Sequence, residues 1–338
     1  MTLVPDKPFK TYDEQIDILV NKYGLIIKSK PFAKLALKSF TYYDLINGYK
    51  ECFMENGNDH YPAGITLEFI YYFCLLDKNI QTTIFQFSAI IENSFKSKMA
   101  YILSDHFGVF QTEYLDPDNF YKSNNKILYS NIYAACTGIY SSGKPIPQPT
   151  KHYYQNHNHI PAWILFKNVS FSNVINLYQL LKKPEKEAVT NLLLPTAALS
   201  YEDKIDFIIA ALNIVRNYRN KIAHNLKFVT YKNYNKQLSR NSLCTITPKT
   251  LLSRSETKKH KRGLYDIYAD ILCILHLLDD PILKYSFVSQ LRSNLSDFQM
   301  SKNKNSPSAY DDYIQITNMP PDIIKRLEHY SEILIPKK

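Results

Sequence analysis

The sequence is poor in the residues that would define several classes of protein. It has only 8 glycines and 1 tryptophan among 338 residues, and its 5 cysteines show no Cys-x-x-Cys spacing. An odd number of scattered cysteines argues against a disulfide framework, so we expect reduced thiols. The longest strictly apolar runs, such as residues 208–212 and 271–275, are far shorter than the roughly 18 residues that a membrane span needs. These absences favour a globular protein that neither crosses a membrane nor depends on disulfides.

Acidic residues are also scarce relative to basic ones. Lys and Arg total 41, Asp and Glu total 31, and the formal net charge is +10. Such a charge favours a polyanion as partner because cationic side chains release counterions from a phosphate backbone, although charge alone does not choose among RNA, DNA and lipid. The N-terminal stretch carries Asp6 and no apolar segment, so we expect no signal peptide and a cytoplasmic location.

The residues that are abundant predict an all-α fold. Hydrophobic residues make up 45% of the chain, and they recur at helical steps of three and four, whereas the alternation typical of strands is sparse. The capping box Thr11-x-x-Glu14 predicts the first helix. From Thr66 to a stop at Gly108 the pattern is helical for about forty residues, with a predicted break at residues 77–79.

We predict three regions along the chain. Residues 1–60 form an N-terminal helical extension, residues 61–295 a helical core, and residues 296–338 a linker with a C-terminal helical tail. Within the core, the prolines, glycines and serines of residues 109–161 predict an irregular insertion with at most short helices. Residues 227–262 are basic and polar, which predicts a basic loop.

Two basic or histidine-rich runs are candidates for binding. KKHKR at residues 258–262 is a candidate mobile loop for RNA contact. His152, His157 and His159 lie in a polar stretch with no Cys or carboxylate at ligand spacing, so we predict no metal site there.

One predicted helix carries polar residues where its pattern demands apolar ones. The helix begins at the cap Ser200-x-x-Asp203 and ends in VRNYRNKIAHN, residues 215–225. On a helical wheel Arg216 and Arg219 continue an apolar stripe. The polar residues beside that stripe are Asn213, Asn217, Asn220 and His224.

The position of Arg219 leaves two interpretations open. An unpaired buried arginine costs several kcal/mol, so Arg219 must face a carboxylate, a wet subunit interface or a phosphate. In the structural interpretation, Arg219 pairs with Glu92 or another acid of the core, and His224 caps the helix, where the dipole favours a cation. In the functional interpretation, the same side chains form a site for a phosphate.

The arrangement Arg219-Asn220-x-x-x-His224 resembles the signature of the HEPN group of helical nucleases. RNKIAHN and four earlier segments also resemble, in order, segments of the bacterial abortive-infection (Abi-like, AbiD/AbiF) family. The four segments are KPFKTYDEQIDILVNKYGLII (7–27), FTYYDLINGY (40–49), IIENSFKSKMAYILSDHFG (90–108) and IPAWILFKNVSFSNVINLY (160–178). The chain departs from the family at Ser172, where a glycine is expected, and after His224, where the usual arginine and tryptophan pattern is missing.

The resemblance implies a HEPN-type helical bundle and a role in antiphage defence. It implies a metal-independent endoribonuclease or toxin, often dimeric, with RNA as substrate and a small regulatory RNA as a candidate restraint. By position, the catalytic residues are Arg219, Asn220 and His224, and Glu92 matches an accessory acidic position. We expect no cofactor, no bound metal and no membrane partner.

Cleavage of RNA by its own 2′-hydroxyl needs a base, an acid and a cation for the charge on phosphorus. Histidine titrates near neutrality and arginine offers a planar fork for phosphate oxygens. Residues five apart on a helix point about 140° away from each other, so we expect a dimer or another partner to complete the site around Arg219 and His224. The cations expected to contact the RNA backbone are Arg216, Lys221, Lys96, Lys98 and Lys227. The alternative is an RNA-binding protein of the same fold that does not cut.

Overall fold

The computed structural model describes residues 5–54, 59–121, 126–300 and 307–334. Within these ranges the chain forms seventeen α-helices and no strand, and its only β-type pairings are two isolated bridges, Ile26 with Thr66 and Phe120 with Leu181. The all-α prediction is confirmed. None of the described helices is both long enough and apolar enough to cross a membrane.

The helices are numbered in the order in which they follow one another along the chain. They are α1 (Tyr12–Asn21), α2 (Lys30–Ser39), α3 (Lys50–Phe53), α4 (Leu67–Phe107), α5 (Gln111–Tyr114), α6 (Lys126–Ser141), α7 (Thr150–Asn156), α8 (Ala162–Leu165), α9 (Phe171–Leu180), α10 (Lys183–Leu193), α11 (Tyr201–Ala223), α12 (Arg240–Ile246), α13 (Arg254–His260), α14 (Ile267–Leu277), α15 (Pro281–Met300), α16 (Ala309–Ile316) and α17 (Ile323–Leu334). A π-helical turn (Tyr43–Asn47) precedes α3, and a 3₁₀ turn (Pro117–Asn119) follows α5.

The 41-residue helix α4 is the axis of the fold. It spans on the order of 60 Å, and α2, α8, α9, α10, α11, α14, α15 and α16 pack against it. Its ends agree with the prediction, since the Thr66 hydroxyl caps the first turn and Gly108, with φ +98°, ends the helix. The predicted break at residues 77–79 is wrong. Asp77 does not terminate the helix because its carboxylate is buried and accepts hydrogen bonds from Tyr49, Gln81 and Tyr313.

Helix α11 is the second central element. Ser200 caps its N-terminus by accepting from the Asp203 amide at 3.1 Å, as predicted. Its apolar residues are buried on two sides, with Leu212 and Ile214 both fully buried. The helix packs against α4, α9, α10 and α14. It runs antiparallel to α4. Asn225, just beyond the end of α11, contacts Lys78 in the early part of α4, whereas Arg219, about one turn earlier in α11, contacts Glu92 in a later part of α4.

The predicted irregular insertion contains a substantial helix. Helix α6 has 16 residues, buries Tyr129, Ile132 and Cys136, and packs against α9. The structure therefore corrects the prediction of at most short helices in residues 109–161. The prolines of this region and Gly143 lie outside α6, and although Gly138 lies within the helix, apolar residues recur inside it at steps of three and four.

The predicted basic loop at residues 227–262 also contains two short helices. Helices α12 and α13 begin at the caps Ser239 and Ser253, and Leu243, Leu251 and Leu252 are buried. The KKHKR run is therefore not a mobile loop, because it ends α13. Its Arg262 is fixed by Glu256 at 2.8 Å and by the Asn318 carbonyl at 2.8 Å.

Proline marks two further helix boundaries. Pro184 lies in the first turn of α10, where proline is well tolerated. In the C-terminal tail, Pro320 and Pro321 precede the last helix, which begins at Ile323. Most of the predicted linker, residues 301–306, lies outside the described residues.

Candidate active site

The residues of the Arg-Asn-x-x-x-His motif lie at the end of α11, against one face of α4. Arg219 and Asn220 are in the last turn of α11 and His224 is the first residue after it. The α4 residues that face this region lie within about 60° of one another around the helix axis. They are Lys78, Gln81, Phe85, Glu92 and Lys96.

Glu92 joins two cations at the centre of this site. Its Oε2 lies 3.2 Å from Arg219 Nη2, and its Oε1 lies 2.7 Å from Lys96 Nζ. The pairing of Arg219 with Glu92, one of the two interpretations left open by the sequence, is thus present. The pair is not sealed, because 33% of the Arg219 side chain is exposed, against 16% for Glu92 and 11% for Lys96. Two positive charges and one negative leave the group with a net positive charge.

Two other contacts orient the Arg219 guanidinium. Nη1 donates to the Asn220 side-chain oxygen at 3.0 Å, and Cζ lies 5.9 Å from the centre of the Phe85 ring. Nε is buried and has no hydrogen-bond partner among the described residues. Glu92 therefore holds the guanidinium at one edge, and the Phe85 ring lies against one of its faces. The 5.9 Å between Cζ and the ring centre is within the distance at which a cation and an aromatic ring attract each other.

His224 lies at the C-cap position and is exposed. Its backbone N–H donates to the Asn220 carbonyl at 3.1 Å, and its backbone has left the helical conformation (φ −100°, ψ 12°). The predicted cap position is confirmed. Its imidazole makes no hydrogen bond to any described residue. Asn220 links the two ends of the motif, because its side chain binds Arg219 and its carbonyl binds the backbone of His224.

Arg216 is a second cation beside this site, and it has no acidic partner in the described part of the chain. Its Nη1 donates to Ser172 Oγ at 2.8 Å, and Nε and Nη2 donate to Asn217 Oδ1 at 3.3 and 3.0 Å. Burial lowers the pKa of the Arg216 guanidinium, and the opposing electrostatic effect of Tyr231 is smaller. Ser172, where the resemblance led us to expect a glycine, therefore holds Arg216 through its hydroxyl group.

The other predicted cations are not all near the motif. Lys221 Nζ lies 4.5 Å from the centre of the Tyr231 ring, and Lys227 pairs with Glu51. Lys98 pairs with Asp279 at 2.8 Å, on the side of α4 that faces away from the motif. Lys96 is committed to Glu92. Arg216, Arg219 and Lys221 therefore all lie near the end of α11, but Lys221 points about 160° away from Arg219 around the helix axis, and Lys98 lies apart from the motif.

Sequence reasoning missed Phe85 and Gln81, although both follow the predicted break at residues 77–79 and lie in the same predicted helix as Glu92. The steps of four residues from Gln81 to Phe85 and seven from Phe85 to Glu92 place all three on one helix face, and this spacing is the signal that could have found them. As for metals, no three His, Cys, Asp or Glu side chains in the part of the chain that the structure describes lie close enough together to hold an ion.

A comparison with protein families supplies the context for this site. The model of the Abi-like protein family matches residues 35–229, which is 195 of the 338 residues and includes Glu92 and the whole Arg-Asn-x-x-x-His motif. No curated protein and no solved structure matches the chain. Because the match covers more than half of the sequence and contains both halves of the candidate site, the chain belongs to the Abi-like family.

Proposed function

We propose that this protein is a HEPN-type endoribonuclease that acts as a toxin in bacterial abortive-infection defence against phage. The observation that carries the proposal is the exposure of Arg219 and His224 at the end of an otherwise buried helix. A purely structural arginine and cap would need neither a partly exposed arginine side chain nor an exposed imidazole without a hydrogen-bond partner among the described residues. Family membership supports the defence role, and the site chemistry supports the reaction.

In the proposed reaction the 2′-hydroxyl of RNA attacks its own phosphodiester. A bond forms between the 2′-oxygen and phosphorus, and the bond from phosphorus to the 5′-oxygen breaks. His224 takes the 2′ proton or gives a proton to the leaving oxygen. Arg219 offers two N–H groups to the phosphate oxygens as charge accumulates on phosphorus. Asn220 keeps the arginine in place, and the products are a 2′,3′-cyclic phosphate and a 5′-hydroxyl.

Glu92 has an accessory role in this scheme. Its carboxylate occupies Nη2 of Arg219 and orients the fork, while Lys96 neutralises the carboxylate from the other side. An incoming phosphate competes with Glu92 for the guanidinium, because both are anions that bind the same N–H donors.

Residues five apart on a helix point about 140° away from each other, and we propose that a second copy of the chain completes the site around Arg219 and His224. In such a homodimer, Arg219 of one chain works with His224 of the other. Mixing Arg219→Ala and His224→Ala variants tests this directly. Half of the dimers would be mixed, each with one intact site of two, so about a quarter of the wild-type activity returns. No recovery would mean that each chain carries its own complete site.

The reaction itself is tested with end-labelled RNA incubated with the protein in EDTA. We expect fragments that end in a 2′,3′-cyclic phosphate, and we expect an all-deoxy oligonucleotide of the same sequence to stay intact, because it lacks the internal nucleophile. Fragments with a 3′-hydroxyl, or cutting of the all-deoxy strand, would contradict the mechanism.

A second candidate function is RNA binding without cleavage. The occupation of Arg219 by Glu92 favours it, because a guanidinium paired in the free protein is less available to a reacting phosphate. In the same EDTA experiment this function gives a mobility shift without fragments. A small RNA that restrains the toxin would use the same cations, and sequencing the RNA that co-purifies from the native host tests for it.

A further inference from the structure

A cavity of about 220 Å³ begins one residue beyond His224. The π-helical turn, the early part of α4 and residues 225–228 enclose it. Its lining residues are Tyr43, Asp44, Gly48, Tyr49, Asp77, Lys78, Gln81, Lys221, Asn225, Leu226, Lys227 and Phe228. None of the residues assigned to the catalytic step lines the cavity. Two of its lining residues, Lys78 and Gln81, nevertheless lie on the face of α4 that carries Glu92.

The cavity lies beside the proposed site along α4. Lys78 and Gln81 occupy the same face of α4 as Phe85 and Glu92. Seven residues separate Lys78 from Phe85, so the cavity lies roughly 10 Å along α4 from the ring beneath Arg219. It is on the His224 side, because Lys78 contacts the side chain of Asn225. A strand whose phosphate is at Arg219 therefore reaches the cavity with a neighbouring nucleotide.

The walls suit an unpaired nucleotide. Tyr43 is 66% exposed and Leu226 is 50% exposed, so an aromatic ring and an aliphatic side chain lie at the surface of the cavity. Lys78 and Lys221 supply positive charge, and Gln81 and Asn225 supply amide groups. Aromatic rings and amides are the groups with which proteins bind splayed bases of single-stranded RNA.

One wall of the cavity is rigid before any ligand enters. Gln81 is 4% exposed, and its amide donates to Asp77 at 2.6 Å. Asp77 is held in turn by Tyr49 at 2.8 Å and by Tyr313 at 3.1 Å. The same Gln81 side chain accepts from Lys78 at 3.2 Å. Preorganised polar groups of this kind lower the entropy that a ligand loses on binding.

The opposite wall depends on a glycine. A Cβ atom on Gly48 would lie 2.2 Å from the Asp44 carbonyl oxygen, so no larger residue fits without moving the π-helical turn. That turn places Tyr43 and Asp44 at the cavity. The close approach at Gly48 therefore constrains the backbone of the turn that carries Tyr43.

We propose that this cavity binds the base of the nucleotide next to the cleaved phosphodiester, stacked on Tyr43, with the phosphate of that nucleotide at Lys78 and Lys221. The inference rests on the proposed function and assigns a nucleotide subsite to it. RNA is favoured over a free nucleotide because the cavity is smaller than the roughly 300–1,000 Å³ typical of sites that enclose a whole small molecule. The rest of the strand continues along α4 towards Arg219.

The test measures binding of an uncleavable RNA, so that it does not depend on catalysis. The probe is a single-stranded 2′-O-methyl oligonucleotide of about ten nucleotides, with one base removed at each position in turn. In the wild-type protein, base removal at one position should weaken binding about 5- to 150-fold, the range expected for loss of one base stacked on an aromatic ring. Tyr43→Ala should weaken binding of the intact probe equally and should abolish the effect of that base removal.

The matched control is Tyr72→Ala, because Tyr72 is 57% exposed on α4 and does not line the cavity. Lys78→Gln should weaken binding, whereas Lys249→Gln, the same charge change at an exposed lysine outside the cavity, should not. If no position of the RNA couples to Tyr43, the subsite is wrong even if the protein cuts RNA. If coupling is found but no RNA is cut, the subsite stands and the nuclease proposal fails.

A second arm separates RNA from free nucleotides. AMP, GMP, CMP and UMP are titrated against the wild-type protein and Tyr43→Ala. Weak or absent binding of all four is expected, since each lacks the contacts along α4. Tight binding of a free mononucleotide that Tyr43→Ala abolishes, without coupling in the RNA probe, would overturn the assignment to RNA.

Discussion

Replacing Glu92 with glutamine should make the protein less stable and should make it bind RNA more tightly. The carboxylate lies between Lys96 at 2.7 Å and Arg219 at 3.2 Å. Its removal leaves two cations facing each other with no anion between them, and Lys96 is only 9% exposed. It also frees the guanidinium that the proposed mechanism assigns to phosphate.

The loss of stability follows from burial. Removing one partner of a buried ion pair costs about 3–5 kcal/mol. We expect about 2–3 kcal/mol here, because a third of the Arg219 side chain is exposed and glutamine still accepts a hydrogen bond. For a chain of this length the unfolding entropy is about 0.7 kcal/mol/K, so Tm should fall by about 3–4 °C.

The gain in RNA affinity follows from the released charge. One additional phosphate contact steepens the salt dependence of single-strand binding by about 0.7, which corresponds to about fourfold tighter binding near 0.15 M salt. The assays are thermal unfolding and fluorescence anisotropy with a 2′-O-methyl RNA at several salt concentrations. Glu328→Gln is the control, since it makes the same charge change at an exposed ion pair with Arg292. If RNA affinity falls together with stability, Glu92 and phosphate do not compete for Arg219.

Three other substitutions test separate parts of the account. Arg216→Gln should weaken RNA binding about fourfold near 0.15 M salt and reduce the salt slope by about 0.7, measured by anisotropy; an unchanged slope would remove Arg216 from the RNA path. Burial raises the pKa of Asp77 to about 6, so its contribution to stability is full below pH 3.8 and is lost as pH rises through 6. Relative to the wild type, Asp77→Asn should therefore gain on the order of 2–3 kcal/mol between pH 4 and 7 in urea unfolding, and a constant difference would contradict the shift. Burial raises the pKa of Glu256, but hydrogen bonds from Arg326 and Ser253 outweigh it and lower the pKa to about 2. Glu256→Gln should destabilise the protein above pH 4.5 by about 2–3 kcal/mol and leave RNA binding unchanged, whereas Asp322→Asn, at an exposed partner of Arg326, should have little effect.

The parts of the fold that could be predicted from sequence are those determined by local interactions. The capping box at Thr11 and Glu14 is present, with the Glu14 side chain on the Thr11 amide at 2.7 Å. The caps at Thr66 and Ser200 and the stop at Gly108 are also local, because each depends on a side chain or a dihedral within one turn.

The errors lie where distant residues decide the structure. Asp77-Lys78-Asn79 is a typical break, but Tyr49 and Tyr313, which are 28 and 236 residues away in sequence, bind the Asp77 carboxylate and keep α4 continuous. Helix α6 was missed because the helix-breaking residues on either side of it suggested an irregular segment throughout.

The candidate site also combines residues that the local sequence reveals with contacts that only the folded chain creates. Arg219, Asn220 and His224 are close in sequence, so the motif could be found without a structure. Glu92 was named only through the family resemblance and as a possible charge partner, because sequence does not show which face of α4 meets α11. The cavity beside Tyr43 could not be predicted at all, since the π-helical turn, α4 and residues 225–228 meet only in the folded chain.

The most direct test of the central claim is a parallel measurement of RNA cleavage and RNA binding by the wild-type protein and His224→Ala. Because His224 is exposed and its imidazole binds no described residue, the substitution should leave stability and affinity nearly unchanged. The account predicts that cleavage falls by about 10²- to 10⁴-fold, the contribution of a general acid or base. A His224→Ala protein that cuts RNA at the wild-type rate would contradict it.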